Sequence, residues 1–244
     1  MGRGAYGGAR HGRCYTAVGA LTRGRGNSRE LGRHALILGL TGGYCAGKNA
    51  AAALLEERGW TCIDLDRLGH QALEANAAPV QELLGKNLRR PDGSLDRKAI
   101  GALVFADPEL LSRYEAIVQP AMLRLLDDAL AAGKSAGCAH RGDSVPLKKP
   151  LCINAAILYR LPHAYACEAI IEIRAPLLMR LDRSKKRDGL GFVQALLRIR
   201  RQSPLWRAGR AFSAKRAILY NKGNPQDLAD KLDALLASLG LSAH

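Results

Sequence analysis

One segment, Gly42-Gly43-Tyr44-Cys45-Ala46-Gly47-Lys48-Asn49, limits what this chain can fold into more than any other. Glycines at this spacing let consecutive backbone N–H groups curl around phosphates at the start of a helix. The pattern is G-x-x-x-x-G-K, with Asn49 where a Ser or Thr hydroxyl usually ligates magnesium. Gly42, Gly43, Tyr44, Cys45, Ala46, Gly47, Lys48, Asn49 and Ala50 are therefore the candidate nucleotide-binding residues, with Lys48 directed at the β- and γ-phosphates. An amide oxygen can also hold magnesium, but it sits on a longer arm and must be oriented by its own NH₂ contacts. Asn49 is the candidate metal residue on those terms, with direct, weaker or water-mediated contact all open, and with loss of metal chemistry as the alternative.

The neighbouring pattern supports this reading. The apolar run Ala35 to Leu40 predicts a buried strand ending in Thr41-Gly42-Gly43, and Lys48 to Arg58 has helical composition. Thr61 to Asp64 predicts a second strand and Leu68 to Asn76 a second helix, which completes a βαβ unit. The region from Asp96 to Ala132 predicts helices, with Ala99, Ile100, Leu103, Val104 and Phe105 sharing a face and with Pro108 and Pro120 in the first turns of later helices. Residues 133 to 150 predict a surface loop. Strands are expected at Leu151 to Asn154, Ala169 to Ile173 and Ala217 to Tyr220, and helices at Pro176 to Arg201 and Leu228 to Leu239. The expected fold class is α/β, of the P-loop NTPase type: a parallel five-stranded sheet covered by helices on both faces.

Charge is distributed unevenly. The chain has 37 Lys plus Arg against 22 Asp plus Glu, a net of +15. Residues 1–34 hold seven Arg and one Glu, and residues 174–216 hold ten Arg and three Lys against two Asp. Concentration in one tail and one internal segment suggests a phosphate site rather than a uniform nucleic-acid coat. Segment 1–34, with nine Gly and no periodicity, is expected to be disordered, and nucleic acid is not an expected partner except through this basic tail. With 48% hydrophobic residues and no uncharged run near the roughly 18 residues of a membrane helix, a globular domain over 35–242 without a membrane span is expected. Six scattered cysteines without a Cys-x-x-Cys pair, and opening residues unlike a secretory leader, fit a cytosolic protein.

The remaining chemistry lies at strand ends and in the basic segment. Asp64 and Asp66 close the second strand, where the ligand crevice of a parallel sheet opens. Either could accept a proton from an attacking hydroxyl or hold a metal-bound water, while helix capping is the structural alternative. Arg183, Arg187 and their basic neighbours suit a lid that closes on a triphosphate, or else a solvated helix face.

Taken together, these motifs resemble the dephospho-CoA kinase family from about Leu38 to Leu239. The likeness rests on Gly39-Leu40-Thr41-Gly42-Gly43, Asp64-Leu65-Asp66, Leu95-Asp96-Arg97 with Val104-Phe105, Arg183, Arg187-Asp188-Gly189-Leu190, Arg198-Ile199, Gln202, and Ile218 to Gly223. The resemblance implies phosphorylation of the 3′-hydroxyl of dephospho-CoA by ATP with Mg²⁺, by a protein that is a monomer by default. It further implies a helical substrate-binding region over about 85–132 and a lid over 176–202. By the same resemblance Lys48, Asp66, Arg183 and Arg187 are the catalytic residues, and Asp64, Gln119, Pro120 and Asn154 are candidate substrate contacts. Three positions depart from the family pattern: Asn49, Gln119-Pro120 in place of His-Pro, and Cys152 to Ala156 in place of a Pro-Leu-Leu-Phe-Glu-like segment. A kinase for another nucleoside or nucleotide and an inactive nucleotide binder are the competing readings.

Overall fold

Side chains alternate across a strand, so a strand buried along its whole length must have apolar cover on both faces. β1 (Ile37–Gly42) is such a strand. Leu38 and Leu40 pack on one side with α1 (Lys48–Glu57), through Ala51, Ala52 and Leu55. Ile37 packs on the other side with the helices of the middle region. These facts come from a computed structural model that describes residues 36–135 and 149–241. The Gly/Arg-rich segment 1–34 and residues 136–148 of the expected loop lie outside the described residues.

β2 (Thr61–Asp64) runs directly into α2 (Leu65–Ala75), which is followed by α3 (Ala77–Leu84), α4 (Arg97–Val104) and α5 (Pro108–Ser135). β3 (Leu151–Asn154) and β4 (Ala169–Arg174) come next, separated by short 3₁₀ turns. The basic segment forms α6 (Leu177–Asp188), α7 (Phe192–Arg201) and α8 (Ser203–Ala208), before β5 (Arg216–Tyr220) and α9 (Pro225–Ser238). Among the described residues the five strands make one parallel sheet in the order β2-β3-β1-β4-β5, as the fold class required. β1 lies at its centre, with Leu40 beside Asn154 of β3 and Gly42 beside Ile173 of β4. The carboxyl ends of β1, β2 and β3 therefore open on one crevice, where a doubly wound sheet binds its ligand.

Several sequence expectations need correction. β1 continues through Thr41 and Gly42 because both pair with β4. α2 starts at Leu65, three residues earlier than expected, because the Asp64 carboxylate accepts the Asp66 N–H at 2.9 Å and caps the helix directly from the strand. Pro120 does not begin a helix: it lies inside α5. Removing one backbone hydrogen bond and crowding the preceding turn costs roughly 3 kcal/mol. The stripe Val118, Met122, Leu126 and Leu130, buried in the core cluster that α5 forms chiefly with α2 and α3, offsets that cost and keeps the helix continuous. α5 also runs past Ala132 to Ser135, and Phe105, one residue beyond α4, is 68% exposed rather than on the buried face of Ile100 and Val104. The basic helix breaks at Gly189, whose φ of 65° ends α6 in the left-handed conformation. Spacing of polar residues did not reveal α3 and α8.

Candidate active site

The loop between β1 and α1 takes its shape from both sides. Gly47, the residue before α1, has φ 100°, and a Cβ there would lie 2.1 Å from Asn221 Nδ2. Only glycine meets both conditions. Cys45 is left-handed as well, with φ 58°. Behind the loop, α6 presents Arg180, Arg183 and Arg187 on one face. Arg180 Nε donates to the Tyr44 carbonyl at 2.7 Å, and Arg183 Nη1 donates to the carbonyls of Cys45 and Ala46 at 3.3 Å each. Asn221, just after β5, donates from Nδ2 to the Ala46 carbonyl at 3.0 Å and accepts from Arg183 Nη2 at 3.2 Å.

Lys48 is buried although it carries a charge. Its Nζ donates to Oδ1 of Asn154, itself 3% exposed, at 2.6 Å. Burial pushes the ammonium pKa down, and the negative fields of Asp66 and Asp64 partly oppose this shift. Such a lysine is poised for an incoming anion that would restore its counter-charge.

A cavity of about 910 Å³ opens over the loop. Gly42, Gly43, Tyr44, Cys45, Ala46, Gly47, Lys48, Asn49 and Ala50 line it, as do Asp66, Arg183 and Arg187. These expected nucleotide and catalytic residues, distant in sequence, are thus brought together. Four others are not among the lining residues. Asp64 is spent on the α2 cap, Asn154 stands behind Lys48, and Gln119 and Pro120 are exposed on α5. Lys186, Arg198, Gln202, Asn221, Gly223, Pro225 and Leu228 are not among the expected site residues, yet they line the same cavity, as do Ala53, Leu54, Glu57 and Ala156. The i, i+3, i+7 spacing of Arg180, Arg183 and Arg187 was the available signal for a helix face turned toward the loop.

Among the described residues, no group of three or more His, Cys, Asp and Glu side chains could hold a metal ion. Asn49 and Asp66 nevertheless bring an amide oxygen and a carboxylate to the cavity wall. This set fits magnesium delivered with a triphosphate, because that ion keeps phosphate oxygens and waters in most of its octahedron. The described cysteines, Cys45, Cys62, Cys152 and Cys167, are free thiols, and no described helix is long and apolar enough to cross a membrane.

Comparison with known proteins agrees with this geometry. Residues 36–227 match the family described as dephospho-CoA kinase. A dephospho-CoA kinase from Anaeromyxobacter dehalogenans is 36% identical over 208 residues, covering 83% of this chain and 92% of the relative. One from Treponema pallidum is 31% identical over 212 residues, covering 84% and 96%. The crystal structure of TT1252 from Thermus thermophilus superposes with a TM-score of 0.66 at 31% identity, covering 84% of this chain and 98% of that one.

Proposed function

This chain belongs to the dephospho-CoA kinase family, phosphotransferases with an alcohol acceptor, and we propose that it moves the γ-phosphoryl group of ATP to the ribose 3′-hydroxyl of dephospho-CoA using Lys48, Asp66, Arg183 and Arg187. One observation carries the residue assignment: Lys48 and Asp66, from the ends of neighbouring βα units, line the same cavity as the phosphate loop. Phosphoryl transfer needs little covalent help from the protein, so positioning and charge stabilisation do most of the work.

The apolar end of the cavity, formed by Leu54 of α1 and by Pro225 and Leu228 of α9, receives the adenine ring, and the loop amides receive the phosphates. Arg183 holds the carbonyls of Cys45 and Ala46, while the Tyr44 and Ala46 N–H groups are bonded to Gln202 and Gly43, so the phosphates fall to the other loop amides. Lys48 turns from Asn154 to the β- and γ-oxygens, and Arg187 adds charge on the lid side. Asp66, exposed in the first turn of α2, accepts the proton of the 3′-hydroxyl. Asn49 and Asp66, both on the cavity wall, would hold Mg²⁺ arriving with the triphosphate, which would supply charge neutralisation there. Dephospho-CoA approaches Asp66 along the helical side of the crevice, where α5 packs on α2 with Met122 beside Gly69. Gln119 and Pro120 stand about one turn from Met122 and are its proposed contacts there.

The test is ADP release by purified protein with Mg-ATP, with and without dephospho-CoA. Release that depends on dephospho-CoA and falls by at least about a hundredfold in Asp66→Asn and Lys48→Ala is expected. Wild-type rates in both variants would remove these residues from the mechanism.

A further inference from the structure

Tyr44 stands in the phosphate loop, yet nearly all its polar contacts are with the lid helices. The residue is 9% exposed. Its N–H donates to Oε1 of Gln202 at 2.7 Å. Its hydroxyl donates to the Asp188 carboxylate at the end of α6 and lies 3.2 Å from Ser184 Oγ. The guanidinium of Arg187, from the last turn of α6, lies 5.2 Å from the ring centroid, and that of Arg198, from the last turn of α7, lies 4.7 Å from it. Both arginines line the nucleotide cavity.

We propose that Tyr44 is a positioning residue for the phosphoryl-transfer reaction: its ring and hydroxyl hold Arg187 and Arg198, which come from two different helices, beside the place of the triphosphate before nucleotide arrives. This inference rests on reading the cavity as the ATP site. An arginine side chain loses rotamer freedom when it is held in place, and two like charges brought to one spot also repel. A neutral aromatic face reduces both penalties, since its negative quadrupole attracts each guanidinium without adding a charge. Asp188 contributes the counter-charge. It accepts from Arg187 Nε and Nη2 at 2.9 Å each while accepting from the Tyr44 hydroxyl, so the cluster has a fixed orientation. A ring contact is weaker than a bidentate guanidinium–phosphate pair, so nucleotide can draw Arg198 onto its oxygens, whereas Arg187 has also to exchange the Asp188 carboxylate for phosphate. An aliphatic residue of similar volume at position 44 would fill the space without gathering the charges.

The experiment measures kcat and the ATP KM for wild type, Tyr44→Leu, Tyr44→Phe, Arg187→Ala/Arg198→Ala, and the triple variant carrying Tyr44→Leu, with thermal melting as a check on folding. Tyr44→Leu is expected to lower kcat about tenfold or more while changing the ATP KM less than about threefold, because the arginines act most strongly on transition-state charge. Tyr44→Phe keeps the ring face and should have a kcat at least about threefold above that of Tyr44→Leu. In the double-arginine background Tyr44→Leu should cost less than about twofold, since nothing is left for it to position. If the arginine variant is impaired but Tyr44→Leu is silent, or its loss is fully additive with theirs, the proposal is overturned while the site reading stands. If the arginine variant itself keeps wild-type kcat, both fail. Should Tyr44→Leu not fold, Tyr44→Met carries the same test.

Discussion

The Nζ of Lys48, the first residue of α1, donates to Oδ1 of Asn154, the last residue of β3, at 2.6 Å in a buried setting. This contact joins the phosphate loop to the neighbouring strand. A buried donor that loses its partner costs about 1–3 kcal/mol, and more when charged. Asn154→Ala should therefore lower the unfolding free energy by about 1–3 kcal/mol in urea titrations. An unchanged midpoint would show that Lys48 does not depend on Asn154.

Because burial lowers the Lys48 pKa, the free protein gives up this proton at a lower pH than an ordinary lysine, whose value is about 10.4. Phosphates at the site would draw the proton back. ATP binding at alkaline pH below the ordinary lysine value should thus take up protons, seen as a buffer-dependent heat in calorimetry and absent in Lys48→Met. The same shift sets a stability trend. The unfolded chain binds the proton more tightly, so the Lys48 contribution is greatest above the unfolded value and is lost as pH falls through the lowered folded one.

Gly47→Ala adds left-handed strain of roughly 1–2 kcal/mol and drives a methyl group into the Asn221 amide that holds the Ala46 carbonyl. ATP affinity should fall by more than about tenfold in equilibrium binding, since the loop can no longer present its amides in one arrangement. Gly59→Ala is the control. Gly59 also has positive φ, at 82°, but no atom lies within 4 Å of the added Cβ, so it should cost stability alone and leave ATP affinity intact.

The hydrogen bonds from Arg187 and Tyr44 pull the Asp188 carboxyl down from 3.8 to about 2. A depressed folded pKa gives stability that is present above the unfolded value and lost as pH falls through the folded one. Wild type should therefore exceed Asp188→Asn in stability by a constant margin above about pH 5. That margin should close between pH 3.8 and about 2, as urea midpoints across the range would show. A margin that persists at pH 2 would mean the carboxylate is not the source.

Local rules explain how much of this protein its sequence alone determined. Gly42, Gly47 and Lys48 define the phosphate loop because backbone conformation there permits few residue types, and the apolar runs at Ile37, Leu151 and Ala169 announce buried parallel strands by composition. Asp66 could be assigned to the crevice because it directly follows a strand. Only the tertiary structure decided that α5 continues through Pro120, since the price of a missing backbone hydrogen bond is outweighed by packing against residues far away in sequence. It likewise decided the partners of Lys48 and Tyr44. Asn154 lies 106 residues from Lys48, and Gln202 lies 158 from Tyr44. Contacts at such separations follow from strand order and from how α6 and α7 pack on the loop, and local spacing carries neither.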